Sequence, residues 1–497
     1  MKKMFLCFLS VAILLSGVAG CSTTTVTSEY ILEEDGTEDS AAVDSLDENN
    51  DASDNDTDEG SADTPVAVKD PYSVDLGGTT ITIAIAENYS FLIDADPNES
   101  SYYKAISQRT KKLEKELNCK ISLKKSTDAQ ALTTKVTNAL LAGEQYCDVI
   151  MTAISQASTF AAKGLLADLN SIKGIDLTKD YMNAGNFVTN TKVGNKVFAV
   201  APKDSLLNGA VGVYFNKNII SELKLENPYN LLSSKKWTIS KMREMALEAK
   251  SQTITDTSGR YGMSVAGFSW ESTEPILANN RTTLITNNNG EVTYTADSAG
   301  VAASIAQAKQ MYVTDKSAYI NHTDDETAKM FIDGRALFLV GYLAYADDIA
   351  SMDDDFGFVP FPRGDNQNDY LTAVNYNARA FLIPANLSTA RKRAAGAFIQ
   401  AFMYASEDTV DAYIDEMDVR YFRDDESGAN VKLCADNLTI NPHAFFTDQG
   451  GNLDNGTLRV IFQGVDGRQE VSKVLADYSN GSKAVLNDLL EKVKSAK

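Results

Sequence analysis

The sequence predicts an α/β protein whose folded body is divided into two lobes. Between residues 79 and 163, short β-branched apolar stretches alternate with amphipathic stretches of helical period. This order is typical of a mostly parallel sheet with helices on both faces. The chain also has about 430 residues after an acidic N-terminal segment, which is more than one hydrophobic core usually serves. Two lobes are therefore the expected organisation.

The N-terminus has the features of a secretory signal. Lys2 and Lys3 precede an apolar run, Met4 to Leu15, that is too short to span about 30 Å of hydrocarbon as a helix. The following Val18-Ala19-Gly20-Cys21 resembles a bacterial lipobox. We therefore predict a signal peptide over residues 1–20 and a lipid, including palmitate, on Cys21 that anchors the protein to the extracytoplasmic face of the cell membrane. The alternative is an ordinary thiol beside an ordinary cleavage site.

Residues 21–70 are predicted to be an acidic, disordered tether. No Lys or Arg occurs from Ser22 to Asp63, where Asp and Glu alternate with Ser, Thr and Asn. Such a composition cannot bury enough apolar surface to fold. Much of the formal net charge of −22 belongs to this segment. The remainder is mildly acidic, so we expect no nucleic-acid partner.

The first lobe begins with three predicted strand and helix pairs. The strands are expected at residues 79–85, 120–123 and 148–151, and the helices at 102–117, 129–141 and 155–163. Ligands of parallel sheets lie at the carboxyl ends of the strands. Asn88 and Tyr89, which follow the first strand, and Thr152 and Ser155, which follow the third, are therefore candidate ligand-binding residues.

Six phrases of the sequence, in a fixed order, are similar to the family 1 extracellular solute-binding proteins, which include the maltose-binding protein. The similarity extends from about residue 79 to the C-terminus. The phrases are Lys163-Gly164-Leu165-Leu166-Ala167-Asp168-Leu169, Gly212-Val213-Tyr214-Phe215-Asn216-Lys217, Lys236-Trp237-Thr238, Gly259-Arg260-Tyr261-Gly262-Met263, Ala328 to Phe338, and Asp355 to Pro362.

The resemblance implies a fold like that of periplasmic binding proteins, with hinge strands that cross between the lobes and a ligand cleft between them. It implies one lobe made of residues 71–210 and 325–378 and a second made of 211–324 and 379–497. It also implies a monomeric substrate-binding protein that closes around a small solute and delivers it to the permease subunits of an ABC importer.

Several site residues are implied by the positions that match the family. Where the family has a "gly-pro-trp" corner that stacks on sugar, this chain has Gly341-Tyr342, with Tyr345 one turn later. Trp270 and Glu271 fall where the second lobe presents aromatic and acidic groups, and Asn375 and Tyr376 lie beside the last crossing. These groups imply a mono- or oligosaccharide ligand. For Trp270 and Tyr342, core packing is the alternative.

The sequence shows no catalytic motif. His322 and His443 are the only histidines, and neither has a metal-ligand partner at helical spacing. No GxSxG elbow, P-loop or GxGxxG follows a strand. We therefore predict no enzyme activity, no catalytic residue, no metal and no cofactor. His443 is expected at the surface, and Cys119 and Cys147 are expected to be buried.

Four other functions remain open at this point. A polyamine would suit acidic and aromatic groups, whereas an organic acid would suit Arg260, Arg281 or Arg379 turned inward. A ligand sensor read by a membrane receptor would use the same fold. A secreted glycan hydrolase needs two opposed carboxylates, which no sequence pattern here indicates.

Overall fold

A computed structural model describes residues 70–495 except 256–257, 267–269, 322–323, 447–464 and 466–468. Its strands form two main sheets and two short two-stranded ladders. The strands are β1 (Thr79–Ala86), β2 (Cys119–Ser126), β3 (Val149–Ala153), β4 (Val211–Asn216), β5 (Tyr261–Ala266), β6 (Ile285–Asn288), β7 (Glu291–Tyr294), β8 (Ala318–Asn321), β9 (Ala336–Tyr342), β10 (Phe356–Pro360), β11 (Thr372–Ala373), β12 (Arg379–Leu382) and β13 (Leu438–Thr439).

The helices of the described residues cover the two main sheets. They are α1 (Ser101–Glu116), α2 (Ala129–Leu141), α3 (Ile154–Ala162), α4 (Phe187–Thr191), α5 (Lys203–Asn208), α6 (Lys217–Leu223), α7 (Pro228–Ser233), α8 (Ile239–Ala249), α9 (Trp270–Asn279), α10 (Ala299–Lys309), α11 (Asp324–Ile332), α12 (Ala346–Ile349), α13 (Thr389–Glu416), α14 (Asp425–Asp436), α15 (His443–Phe446) and α16 (Val471–Ser495). Among these helices, none is long and apolar enough to cross a bilayer.

The first three strand and helix pairs agree with the prediction to within about three residues. Local capping explains part of this precision. The Ser100 side chain accepts a hydrogen bond from the Tyr103 amide at 3.1 Å, and Asp128 accepts one from Ala131 at 2.8 Å. These contacts satisfy amides in the first turns of α1 and α2, where no helical partner exists. The residue directly before each helix thus determines where the helix starts.

The first sheet has the order β12-β3-β1-β2. Strand β1 pairs in parallel with both β2 and β3, as predicted, and β12 runs antiparallel to β3. Its central strands, β1 and β3, are buried on both faces, whereas the edge strand β2 has exposed residues. Alternate residues such as Ile81 and Ile83 pack with Phe398 and Phe402 of α13, whereas Ala84 faces a second cluster on the opposite side. All three parallel strands therefore end at one edge of this sheet.

The second sheet has the order β10-β4-β9-β5-β8. Strands β9, β5 and β8 are parallel, and β4 is antiparallel to both of its neighbours. The start of α8 is capped by Thr238, whose hydroxyl accepts from the Lys241 amide at 3.2 Å. The preceding Trp237 is fully buried and donates its indole N–H to the Pro360 carbonyl at 2.9 Å. The two sheets, each covered by helices, form the two α/β lobes that the sequence predicts.

The strand pairing corrects the predicted lobe assignment of two segments. Residues 325–378 were expected in the first lobe, yet they contribute β9 and β10 to the second sheet. Residues 379–497 were expected in the second lobe, yet they begin with β12 of the first sheet. The reason is that the return crossing comes after β10 rather than before β9. The chain passes to the second sheet at 209–210 and returns across 361–378.

The C-terminal part of the chain contacts both sheets. Helix α13 packs on the first sheet, where Phe402 makes an edge-to-face contact with Phe381 at 4.8 Å between ring centroids. A π-helical turn, Met417–Tyr421, follows α13, and α14 then packs against β10 of the second sheet. This segment is a third connection between the lobes.

Cys119 and Cys147 are buried free thiols, as predicted, and Cys434 is buried as well. Burial raises the pKa of the Cys119 thiol to about 11 and those of Cys147 and Cys434 to about 12. The prediction of a surface position for His443 is wrong. This residue begins α15 and is 1% exposed because α15 packs against α3. Burial also lowers the pKa of His443 to about 3.

Candidate functional site

A small pocket lies where the two crossing segments meet, at the carboxyl edge of the first sheet. It is bounded by the 3₁₀ helix that follows β1, by the end of α5, by the end of β9 and by the segment that enters β12. Its volume is about 20 Å³, room for little more than one water molecule. Its lining residues are Tyr89, Leu92, Ser205, Asn208, Gly209, Tyr342, Asn375, Asn377, Ala378 and Arg379.

Backbone hydrogen bonds made by the crossing segments shape this pocket. The Asn375 amide donates to the Gly209 carbonyl at 2.9 Å, and the Leu343 amide donates to the Ala210 carbonyl at 3.0 Å. Within the return crossing, the Asn375 side chain accepts from the Asn377 amide at 2.7 Å and closes a tight turn. The pocket therefore lies against the segments that would bend if the lobes moved relative to each other.

Tyr342 ends β9 and contributes a buried ring and hydroxyl to the pocket. The Asn375 side-chain amide donates a hydrogen bond to this hydroxyl. Tyr345 lies behind Tyr342 in an edge-to-face contact, with 5.6 Å between ring centroids. A Cβ at Gly341 would lie only 2.4 Å from the Tyr345 ring, so glycine is required there. Tyr345 thus supports Tyr342 without lining the pocket.

Arg379 and Tyr89 form the opposite wall. The carbon at the centre of the Arg379 guanidinium lies 3.2 Å from the centroid of the Tyr89 ring, and Arg379 is only 4% exposed. Its Nη1 donates to the Asn377 carbonyl, and its backbone amide donates to the Ser205 hydroxyl at 2.8 Å. Burial lowers the pKa of Arg379 to about 10, and the adjacent Tyr89 opposes part of this decrease. The side chain is therefore still charged at neutral pH.

Three of the residues predicted to bind ligand line the pocket: Tyr89, Tyr342 and Asn375. Tyr376 is half-buried, and its carbonyl accepts from the Ser155 amide at 3.2 Å, so its backbone closes the N-terminal end of α3. Asn88 is exposed, because the chain turns into a 3₁₀ helix directly after β1 and the strand alternation ends there. Asn88 does not belong to the pocket.

Thr152 and Ser155 lie at the predicted edge of the first sheet but do not line the pocket. Both are buried, at 1% and 0% exposure, and neither hydroxyl has a hydrogen-bond partner within the described part of the chain. Buried hydroxyls without partners are uncommon in folded proteins. Both residues lie close to the return crossing, because the neighbouring amides of Ile154 and Ser155 donate to carbonyls of the Asn375 to Ala378 turn.

Three of the predicted functional side chains lie outside the described part of the chain. Trp270 and Glu271 begin α9, which follows β5, but their side chains are outside the described residues. Cys21 and the tether also lie outside the described part of the chain. The structure therefore leaves the aromatic and acidic contribution of the second lobe, and the anchor, as predictions.

Sequence reasoning missed Ser205, Asn208 and Gly209, which contribute the α5 wall. A Ser-x-x-Asn-Gly pattern directly before the crossing into β4 was the available clue, because small polar residues often end a helix at a turn. Arg379 was one of three arginines considered for an acidic ligand. The other two pair with carboxylates near the surface: Arg260 with Glu222 at 2.9 Å and Arg281 with Asp369 at 3.7 Å.

The pocket wall is suited to binding and lacks the groups of common hydrolases. Two tyrosines offer apolar ring surface, and the amides, hydroxyls and guanidinium offer hydrogen bonds of fixed geometry. Its lining residues include no carboxylate, so the pair that glycoside hydrolysis requires is absent from this wall. Across the described ranges, no cluster of three or more His, Cys, Asp or Glu residues could hold a metal ion.

Comparison with known proteins places this architecture among binding proteins. The family model described as "Bacterial extracellular solute-binding protein" matches residues 108–418. The GacH receptor of Streptomyces glaucescens, solved unliganded and with acarbose and an acarbose homologue, is 17% identical, with a TM-score of 0.56 over 83% of this chain and 99% of that one. Among curated proteins, none matches the chain.

Two further solved structures share the fold. An ABC substrate-binding protein from Listeria monocytogenes in complex with cycloalternan is 15% identical, with a TM-score of 0.54 over 82% of this chain and 98% of that one. A cyclo/maltodextrin-binding protein complexed with maltotetraose is 12% identical, with a TM-score of 0.58 over 84% and 98%. At these identities the likeness demonstrates a common two-lobed fold.

Proposed function

The chain belongs to the family of bacterial extracellular solute-binding proteins, and from this premise we propose that it captures a carbohydrate outside the cytoplasm for an ABC importer. The ligand class is a mono- or oligosaccharide, and the partners are the permease subunits of the transporter. The three solved relatives named above, which are crystallised with acarbose, cycloalternan and maltotetraose, support this ligand class.

The composition and position of the pocket carry the proposal. Tyr342 can cover the apolar C–H face of a sugar ring once the lobes separate, and the second N–H of the Asn375 side-chain amide, beside the one given to Tyr342, can hydrogen-bond to a hydroxyl. The pocket is far smaller than a sugar ring in this conformation. Entry of a ligand therefore requires that the lobes separate at the crossings 209–210 and 361–378. Closure around the ligand would then give the permease a shape to recognise.

The proposal includes a lipid anchor on Cys21, a tether over residues 21–70 and a monomeric body. A tether of this length would keep the binding body tens of ångströms from the membrane, by about 5–6 Å × √n for a flexible chain. Replacing Cys21 with Ser should release the protein from the membrane fraction into the soluble extracytoplasmic fraction. Retention of Cys21→Ser in the membrane fraction would contradict the anchor.

The decisive experiment measures the melting temperature of the purified full chain against neutral sugars, organic acids and polyamines. A ligand at a hundredfold excess over its dissociation constant stabilises the folded state by about 2.7 kcal/mol. We expect a selective rise with one class of carbohydrate and recovery of the sugar unchanged. Recovery of cleaved sugar would favour a secreted glycan hydrolase, and a rise only with a polyamine or a non-sugar acid would replace the ligand class.

Tyr342→Phe provides a matched test of the pocket itself. It keeps the ring and removes the hydroxyl that accepts from Asn375, so the affinity for the sugar should fall about fivefold, corresponding to about 1 kcal/mol. Titration calorimetry measures this change, with Tyr319→Phe, on β8 of the second sheet, as the control. An unchanged affinity in Tyr342→Phe would remove this hydroxyl from the site.

An organic acid is the second candidate ligand, because the only charged residue of the pocket wall is Arg379. The same residue disfavours a polyamine, whose cationic groups it would repel. A sensor that reports ligand to a membrane receptor would use the same closure, and binding measurements alone do not separate it from transport. Uptake of labelled ligand by cells with and without the protein makes that distinction.

A further inference from the structure

Arg379 carries a positive charge in a buried position of the pocket wall. Within the described residues no carboxylate pairs with it, and its side-chain contacts are the Asn377 carbonyl and the Tyr89 side chain. Burying a charged group is costly unless it is paired. The protein as a whole has a formal net charge of −22, so a shortage of carboxylates is not the reason.

A buried carboxylate adjacent in sequence to the pocket wall is already neutralised by another arginine. Asp204 precedes Ser205 of the wall, and its side chain is 1% exposed. Its Oδ2 lies 2.6 Å from Nη1 of Arg109 and accepts from the Thr409 hydroxyl at 3.0 Å. Asp204 is therefore committed to Arg109, and Arg379 faces a wall whose other groups are neutral.

The geometry of Arg379 leaves part of its hydrogen-bonding edge for a ligand. Tyr89 covers one face of the planar guanidinium, and a cation–π contact of this kind does not by itself occupy the in-plane N–H groups. Nη1 is occupied by the Asn377 carbonyl, whereas Arg379 as a whole lines the pocket. A planar group with two oxygens matches such an edge, because guanidinium and carboxylate form two parallel hydrogen bonds.

We propose that the carbohydrate ligand carries a carboxylate, as a uronic acid residue does, and that Arg379 on its Tyr89 platform receives that carboxylate. This inference rests on the proposed function, of which it names the ligand subclass. The size of the pocket agrees with it. A cavity of about 20 Å³ admits one small polar group at the end of a larger ligand, whose ring would lie between the separated lobes.

The experiment compares neutral and acidic sugars that differ only at the carboxyl group. Titration calorimetry on the full chain would use glucose with glucuronate, galactose with galacturonate, and digalactose with digalacturonate. We expect an acidic member to bind at least tenfold more tightly than its neutral partner. Arg379→Met should abolish this preference, and Arg379→Lys, which keeps the charge without the fork, should retain only part of it.

Arg281→Met is the matched control. It removes an arginine that pairs with Asp369 at the surface, outside the pocket. The preference for the acidic sugar should be unchanged in this variant. The circular dichroism spectrum and the melting temperature of each variant establish that it is folded, and Arg379→Lys remains informative if Arg379→Met does not fold.

The remaining outcomes distinguish the role of Arg379 from the carbohydrate-binding function. A neutral sugar that binds as tightly as its acid, or an equal loss for both in Arg379→Met, would overturn the role of Arg379 and leave the carbohydrate function intact. Binding of citrate or succinate but of no sugar would support recognition of a carboxylate and contradict a carbohydrate ligand. Absence of binding by every sugar, acidic or neutral, would overturn the proposed function and this inference with it.

Discussion

Arg109 and Arg379 are buried to the same extent, at 4% exposure, but among the described residues only Arg109 is paired with a carboxylate. Arg109 lies over the Phe402 ring at 4.0 Å and forms an ion pair with Asp204, with further hydrogen bonds to Ser406 and to the Leu92 carbonyl. Arg379 also lies over an aromatic ring, yet no described carboxylate balances it. One arginine joins α1, α5 and α13, and the other faces a pocket.

The difference between the two arginines distinguishes a buried charge that stabilises the fold from one that is available to a ligand. A buried cation that is paired internally contributes to the architecture, because its partner would be left unpaired without it. A buried cation that is unpaired is costly to the folded state, so its retention requires a reason outside the fold. Both arginines would look equivalent if only burial and aromatic contact were considered.

The largest effect is expected for Arg109→Met. It leaves Asp204 as an uncompensated buried carboxylate, which should cost about 3–5 kcal/mol in the free energy of unfolding. Urea denaturation measures this loss. The double variant Arg109→Met, Asp204→Leu removes both charges and should recover most of the stability. A loss below about 1 kcal/mol in the single variant would mean that the ion pair does not hold this region together.

Glu274 extends the comparison to a buried acid that has no cationic partner among the described residues. It lies in α9 and is 2% exposed, and the Asn441 amide donates to its Oε1 at 3.0 Å. Burial raises the pKa of Glu274 to about 8, and the Asn441 hydrogen bond opposes part of this increase. An acid can thus become neutral and avoid the cost of a buried charge, an option that Arg379 lacks at neutral pH.

The raised pKa predicts a specific dependence of stability on pH. Between the unfolded pKa of 4.5 and about 8, the folded state binds the proton and the unfolded state does not, so stability falls as pH rises. Below its unfolded pKa of 6.5, His443 makes stability rise with pH and so opposes the effect of Glu274. The effect of Glu274 is therefore measured between pH 6.5 and about pH 8. Over this window the loss should reach up to about 2 kcal/mol, at about 1.4 kcal/mol per pH unit.

Glu274→Gln should remove this loss, because the amide does not titrate in the same window. The difference between the two proteins is measured by urea denaturation at several pH values. Identical slopes in the wild-type protein and in Glu274→Gln would show that the carboxyl group is ionised in both the folded and the unfolded state.

The smallest effect on stability is expected for Arg379→Met, the same substitution at an equally buried arginine. It loses the contact with Tyr89, worth about 2 kcal/mol when desolvated, but it also removes an unpaired buried charge. The free energy of unfolding should therefore change by less than about 1 kcal/mol, measured as for Arg109→Met. A decrease in the free energy of unfolding as large as that of Arg109→Met would show that Arg379 stabilises the folded structure.

Local features of the chain were predictable from sequence, and long-range pairing was not. The bounds of α1 and α2 follow from their periodicity and from the caps at Ser100 and Asp128, which lie next to the helices. The lobe assignment of β9 and β12 depended on partners more than a hundred residues away. Nothing in the local sequence of a strand specifies which sheet it joins, so a single misplaced crossing exchanged two segments.

The candidate site shows the same division. Tyr89 was found because a residue after a parallel strand lies at the edge where ligands bind, and Tyr342 because its position matched a family phrase. Asn88, its neighbour, points away because the first residues after β1 form a 3₁₀ helix. Arg379 could not be distinguished from Arg260 and Arg281, since the absence of a counter-charge is a property of the folded neighbourhood and not of the sequence.

The pairing of β3 with β12 also determines when the first lobe can be completed during synthesis. Residues 150–153 of β3 pair with residues 379–382. The first sheet therefore lacks this edge strand until more than two hundred further residues have left the ribosome. Contacts between segments so distant in sequence slow folding, because a long loop must be closed before the contact is made. The first lobe of the nascent chain therefore stays incomplete until residue 382 has been synthesised, and a translocation channel for unfolded polypeptides can accept such a chain.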